Sequence, residues 1–413
     1  MGGTVHQRSV VRVGASLIVA SLALTACGSR SDDNGGGGSG DETKTAKIGV
    51  IAPLSGDLSA LGLGIQHSVE LAVKQANDSN AVPGWKFEVS AKDDEGKTDP
   101  AKNAATALAG DKDVIGVVGT LNTSTSLQVQ PVLAPKNIVQ VSPANTGPAL
   151  TQGADWQKSP KRPYPTYFRT CTTDAVQGPF AARYLYNTAK ITKVATIHDK
   201  KAYGQGLVGT FTDEFKKLGG TVTAAETITA DESNYTAVVS AIKPSAPQAV
   251  YYGGEYPQAG PLSQQMKAAG LNVPLMGGDG IFDPKYISLG GKSSTGDLAT
   301  SVGAPTDALP SAKKFVEDYK AANFPEPYAA YGGYSYDAAN AIINALKESL
   351  KDASDVESAR PKTVEALGKV SFDGVTGKVS FDQYGDTTSK VLTVYKVDAG
   401  KWATVETKDF VAN

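Results

Sequence analysis

The chain has 413 residues, with 40 Lys and Arg against 42 Asp and Glu, a net charge of −2 and only 2 cysteines. A near-neutral chain with no Lys/Arg-rich stretch is not built for nucleic acid, and its length allows two lobes, each with its own core.

At the N-terminus, Arg8 and Arg12 precede an apolar run from Val13 through Leu22, and small residues lead into Leu24-Thr25-Ala26-Cys27. That order reads as an export signal, and its ending resembles a bacterial lipobox. The resemblance implies removal of residues 1–26 and lipidation of Cys27, leaving the protein anchored at the extracytoplasmic face of the cell membrane. An ordinary signal peptide with an incidental cysteine, or a membrane-spanning helix, is the alternative; the apolar run is shorter than the ~20 residues a bilayer span needs. Each buried lipid methylene contributes about 0.8 kcal/mol to such an anchor. Residues 27–44 contain Gly35-Gly36-Gly37-Gly38-Ser39-Gly40 between acidic residues, a tether with almost nothing to bury and a reach of ~25 Å. With Cys27 lipidated, Cys171 has no disulfide partner and is expected to be a buried small residue.

From Thr45 onward, strand and helix patterns alternate. Residues 47–53 (KIGVIAP) read as a buried strand, after which Leu61, Ile65, Val69, Ala72 and Ala76 recur at helical spacing. A strand at 86–91 follows, and Asp99-Pro100 has the form of an N-cap and first residue for a helix over 101–108. Strands are expected at 114–119 and 138–142, separated by a helix around 126–133. A polar, proline-rich excursion spans 153–165, and then the rhythm restarts. Strands at 193–198, 221–228, 249–253 and 273–277 alternate with helices at 205–218, 235–242 and 258–269. A helix at 335–350 and closing strands at 378–381, 391–397 and 402–406 complete the chain. Repeated units of this kind build parallel sheets covered by helices on both faces, here in two lobes.

In open α/β sheets, ligands sit beyond the carboxyl ends of strands, where helix N-termini offer unpaired N–H groups. Two such places are rich in hydroxyls: Asn122-Thr123-Ser124-Thr125 and Pro143-Ala144-Asn145-Thr146. Each suits a carboxylate, and each also suits ordinary helix capping. Asp279, in Gly277-Gly278-Asp279-Gly280, Tyr203 and Glu255 stand at strand ends of the second lobe; an Asp before Gly is also a common turn former.

Five segments in order carry a family resemblance: Lys47-Ile48-Gly49-Val50 with Pro53-Leu54-Ser55-Gly56, Ser142-Pro143-Ala144-Asn145-Thr146, Phe168-Arg169-Thr170, His198-Asp199-Lys200 with Tyr203-Gly204, and Tyr251-Tyr252-Gly253-Gly254. The chain resembles the leucine/isoleucine/valine-binding proteins of ABC transporters. The resemblance implies a type I periplasmic-binding-protein fold of two doubly wound lobes joined by three crossovers, near 170–174, 302–307 and 374–381. Lobe 1 would comprise 45–170 with 306–375, including the helix from Ser335, and lobe 2 would comprise 171–305 with 376–413, including the final strands. It further implies that Thr123, Ala144 and Thr146, flanked by Ser124 and Asn145, hold an amino-acid carboxylate, and that Asp279 holds the ammonium. Tyr203, Glu255 and Leu61 would line the cleft; Glu255 and Leu61 stand where leucine-type receptors carry aromatic residues.

Enzyme signals fail on spacing. Gly204-x-Gly206-x-x-Gly209 resembles a dinucleotide fingerprint, but Asp199 to Tyr203 separate it from the strand, where a tight turn is required. Gly291-Lys292-Ser293 ends like a phosphate loop, yet Tyr286 occupies the leading glycine position. Three histidines give no HExxH zinc site, and no G-x-S-x-G elbow occurs. No metal or cofactor is expected. The reading is therefore a monomeric solute receptor for an amino acid, branched-chain or aliphatic, serving an ABC permease. A sensor for another amino acid, amide or small acid, and a lipid-anchored hydrolase or transferase, are the alternatives. Cys27→Ala should abolish metabolic lipid labelling while leaving the melting temperature of the folded domain unchanged; undiminished labelling would remove the lipobox assignment.

Overall fold

The computed structural model describes residues 43–410. The signal sequence, Cys27 and the tether as far as residue 42 lie outside the described residues. Lys44, expected as the last tether residue, instead opens the first strand, its N–H bonded to Gly84 O at 2.9 Å.

The chain begins with β1 (Lys44–Ala52), α1 (Ser59–Asp78), β2 (Trp85–Asp93), α2 (Thr98–Gly110), β3 (Val114–Gly119), α3 (Thr123–Leu133), β4 (Val139–Ser142), the short α4 (Ala149–Gln152) and β5 (Tyr167–Arg169). These five strands form one all-parallel sheet in the order β2-β1-β3-β4-β5. Every residue of β3 is buried, as expected for a central parallel strand covered on both faces.

A second sheet then builds from α5 (Asp174–Arg183), β6 (Lys193–His198), α6 (Ala202–Lys217), β7 (Thr221–Thr227), α7 (Thr236–Ile242), β8 (Ala249–Gly253), α8 (Tyr256–Ala268), β9 (Leu275–Gly277), α9 (Pro284–Gly290) and β10 (Leu298–Ser301). After α10 (Lys313–Ala321), α11 (Gly332–Ser349) and α12 (Val356–Leu367) come the strands β11 (Ser371–Gly374), β12 (Gly377–Ser380), β13 (Val391–Asp398) and β14 (Lys401–Asp409). The second sheet runs β14-β13-β10-β9-β8-β6-β7, with β13 and β14 added antiparallel at one edge.

Two expectations need correction. Asp99 and Pro100 are not the cap and first residue of their helix. The N-cap is Lys97, whose N–H is tied to Asp94 O at 2.7 Å, so the turn closes earlier and Pro100 sits in the first turn, where its missing N–H has no intrahelical partner to lose. The strand expected at 378–381 does not join the second sheet. Its residues pair with β11 as a separate hairpin, anchored where both Asp337 oxygens accept the N–H groups of Val375 and Thr376 at 2.9 Å. Helix α11 packs on α1, β3 and β4, so it covers the first sheet although it follows the second in sequence.

In both sheets the strand order reverses beside the strand that comes first in sequence, between β1 and β3 and between β6 and β8. The chain leaving these switch points opens crevices at the carboxyl ends. Helix α1 approaches so closely that a Cβ on Gly62 would lie 1.9 Å from Pro53 O. Gly62→Ala should therefore push α1 outward and cost about 1–3 kcal/mol, read as a lower denaturation midpoint; an unchanged midpoint would show that α1 has room to shift.

Candidate functional site

The carboxyl ends of the two sheets meet around a cavity of about 20 Å³, room for little more than a water molecule or two. From the first sheet, its wall takes Leu61 on α1, Leu121, Asn122 and Thr123 after β3, Ala144 after β4, and Tyr331 just before α11. The second sheet contributes Tyr203 on α6, Glu255 after β8, and Asp279 and Gly280 after β9. Thus Leu61, Thr123, Ala144, Tyr203, Glu255 and Asp279, far apart in sequence, converge. Ser124 is half-buried and off this wall. Asn145 is also off it: its Nδ2 donates to Leu121 O at 2.8 Å and its Oδ1 accepts from Tyr167 at 3.0 Å.

Thr146 is also off this wall; its buried Oγ1 makes no hydrogen bond of ordinary length and faces the carboxyl of Asp174, whose pKa it lowers. At the start of α3, the cap residue Asn122 makes no side-chain cap; Ser126 N–H bonds back to Asn122 O, and the N–H groups of Thr123, Ser124 and Thr125 have no acceptor among the described residues. Unpaired N–H groups at a helix start favour an anion. Capping is therefore not what these residues do here, because the Asn122 amide reaches across the cleft instead, donating to Glu255 Oε1 at 2.6 Å.

Asp279 is 3 % exposed. Its Oδ1 accepts from Tyr203 at 2.8 Å and Gln177 Nε2 at 2.9 Å, and its Oδ2 accepts from Tyr331 at 2.8 Å. Burial raises its pKa, and these three donors pull the other way. No Lys, Arg or His among the described residues pairs with it, whereas Glu255, also buried, forms an ion pair with Lys201 at 2.9 Å. The two acids named from sequence therefore differ: one has its cation, the other does not. Gln177 further fixes Asp279 by accepting its N–H at 3.0 Å.

Asn122, Leu121, Gln177, Lys201 and Tyr331 were missed as site residues. Asn122 stands inside the hydroxyl-rich segment of the sequence, but Gln177, within α5, and Tyr331, just before α11, carry no motif that marks them. Cys171 is buried, as expected, and donates to Asn145 O at 3.4 Å; burial raises its thiol pKa. Gly204 lies inside α6 rather than in a strand-to-helix turn, where a Cβ would come within 2.3 Å of Gly253 O, which removes the dinucleotide reading.

Two doubly wound sheets whose carboxyl ends enclose one polar cleft define a type I periplasmic-binding-protein fold. The family model described as periplasmic binding protein matches residues 45–401. The chain is 31 % identical to the Leu/Ile/Val-binding protein homolog 3 of Brucella melitensis, over 86 % of this chain and 92 % of that one. It is 29 % identical to the Leu/Ile/Val-binding protein BraC3 of Rhizobium johnstonii, over 87 % and 93 %. Among solved structures, the leucine-binding protein LivK of Thermotoga maritima superposes with a TM-score of 0.78 at 27 % identity, covering 88 % of this chain and 99 % of that one. LivJ of Streptococcus pneumoniae, in complex with isoleucine, gives 0.77 at 26 %, covering 89 % and 100 %. The chain belongs to the periplasmic binding protein family, and its folded part works outside the cytoplasm.

Asp174, fully buried near Asp279, has its pKa pushed up to about 8, first by burial and then by the Asp279 charge. The folded protein keeps that proton up to about pH 8, whereas the unfolded chain releases it near pH 4, so folding loses stability as pH rises through this window. Asp174→Asn, which mimics the protonated form, should match the parent's melting temperature at pH 4 and exceed it at pH 8. Equal slopes in the two pH profiles would contradict this assignment.

Proposed function

We propose that the protein is a receptor, lipid-anchored through Cys27, that closes on one amino acid and delivers it to an ABC permease, acting as a single chain and without catalysis. The observation that carries this reading is Asp279: a buried carboxylate with three neutral donors and no cation among the described residues. Such a group is costly to bury unless a positive charge arrives. Opposite it, the N–H groups at the start of α3 and of Thr146, which have no acceptor among the described residues, favour a negative charge. A ligand carrying ammonium and carboxylate on one carbon satisfies both. Leu61 and Leu121 give its side chain an apolar wall, and the relatives named as Leu/Ile/Val-binding proteins support an aliphatic amino acid.

In the mechanism, the carboxylate docks on Thr123, Ala144 and Thr146 of one lobe (45–170 with 306–375). Asp279 then draws the other lobe (171–305 with 376–413) over the ammonium, with the three crossovers as hinges. The ligand stabilises the closed form only through contacts it makes better there than in the open form. Micromolar binding, about −8 kcal/mol, is within reach of charge-assisted hydrogen bonds and one buried side chain. A thermal-shift screen against the amino acids tests the reading, since a ligand bound to the native state raises the melting temperature; no shift with any of them would remove it.

Glu255 on the cavity wall favours a second reading, a basic side chain. Asp279→Asn should weaken the best ligand by about 2–5 kcal/mol, roughly 30-fold to several-thousand-fold. Glu255→Gln, which leaves Lys201 unpaired, should lower the melting temperature more than the affinity for leucine. Calorimetry of both variants with leucine, arginine and a leucine analogue lacking the amino group decides. An Asp279→Asn variant that binds like the parent refutes the ammonium assignment, and arginine preference abolished by Glu255→Gln establishes the basic ligand.

A further inference from the structure

Arg169, at the end of β5, is fully buried and does not line the cavity. Its Nε donates to Asp386 Oδ1 at 2.6 Å. Its Nη1 donates to Asn145 O at 2.6 Å and to Gly147 O at 3.0 Å, and its Nη2 donates to Thr151 Oγ1. The intervening carbonyl, Thr146 O, accepts the N–H of Asp174 at 2.8 Å. Three consecutive carbonyls of the loop after β4 are thus held.

The donors of the same loop are nearly all used as well. Asn145 N–H goes to Ser142 Oγ at 2.8 Å and Gly147 N–H to Thr123 Oγ1 at 3.4 Å. What remains is the Thr146 N–H, which has no acceptor among the described residues; the Thr146 Oγ1 is turned to Asp174. A free loop peptide can turn either its carbonyl or its N–H toward a ligand. With the flanking carbonyls clamped by a planar, forked cation, only the donor side is left.

The clamp is itself fixed from the far end of the chain. Asp386 Oδ2 accepts from Thr151 Oγ1 at 3.1 Å and from Gln152 Nε2 at 3.0 Å, and Arg169 N–H bonds Gly385 O at 3.0 Å. The turn around 382–386, which follows the hairpin β11–β12, is therefore locked onto β5 beneath the ligand loop.

We infer that Arg169, held by Asp386, is the positioning residue for the anionic end of the ligand: it never touches the ligand, but it orients the peptides of Asn145 to Gly147 so that Thr146 presents donors alone. The inference rests on the carboxylate reading above. Its test uses the amino acid giving the largest thermal shift, L-leucine in the first instance, and the same amino acid with a carboxamide in place of the carboxylate. Both are titrated by calorimetry into the parent, Arg169→Lys and Asp386→Asn, with thermal unfolding recorded alongside. Arg169→Lys keeps the charge and loses the fork. It is expected to weaken the amino acid tenfold or more and the carboxamide less than threefold, with Asp386→Asn shifting the ratio the same way by a smaller factor. Equal weakening of both ligands, or an unchanged ratio with only a lower melting temperature, would overturn the inference and leave Arg169 a brace for the fold. If Arg169→Lys does not fold, the ratio in Asp386→Asn decides on the same terms. A parent that does not distinguish acid from amide removes the carboxylate reading itself and the inference with it, so the two failures are told apart.

Discussion

A carboxylate buried without a cation organises the cleft. Asp279 is held by Tyr203 and Gln177 on one oxygen and by Tyr331 on the other, and these donors come from three separate stretches of chain. Neutral donors offset part of the desolvation cost of the charge, and the remainder is available to a positive ligand group. The surroundings keep that opportunity specific. Lys201 is committed to Glu255.

The same logic, with the sign reversed, applies across the cleft. The start of α3 lacks a side-chain cap because Asn122 spans the two halves to reach Glu255. One residue thereby does two things: it leaves the helix N–H groups unpaired, and it ties the sheets together at 2.6 Å. The bond from Tyr331 to Asp279 and that from Tyr256 to Asp57 O also cross between the halves. The two halves are therefore joined across the cleft by hydrogen bonds that the protein makes with itself.

The strand-helix alternation was legible because buried parallel strands such as Val114–Gly119 are continuous apolar runs and the helices between them keep a 3.6-residue period. The helix start at 98 was misread, since the cue Asp99-Pro100 competes with a turn from Asp94 to Lys97 that has no strong sequence mark. The hairpin β11–β12 was misplaced because a short strand carries no record of its partner. Its position depends on Asp337, about 40 residues earlier.

The sequence by itself determined the fold class, the strand ends on which a ligand would sit, and the identity of Thr123, Ala144, Tyr203, Glu255 and Asp279 as residues of those ends. These are local properties: period, turn chemistry and motif order are written along the chain. Only the tertiary structure decided that Asp279 lacks a cation while Glu255 has one, that Asn145 points into the fold, that Tyr331 and Gln177 hold Asp279, and that Arg169 braces the loop after β4. Those facts depend on which distant groups come within hydrogen-bonding distance once the sheets have packed, and Coulomb and hydrogen-bond energies fall off too steeply with distance and misalignment for sequence spacing to report them.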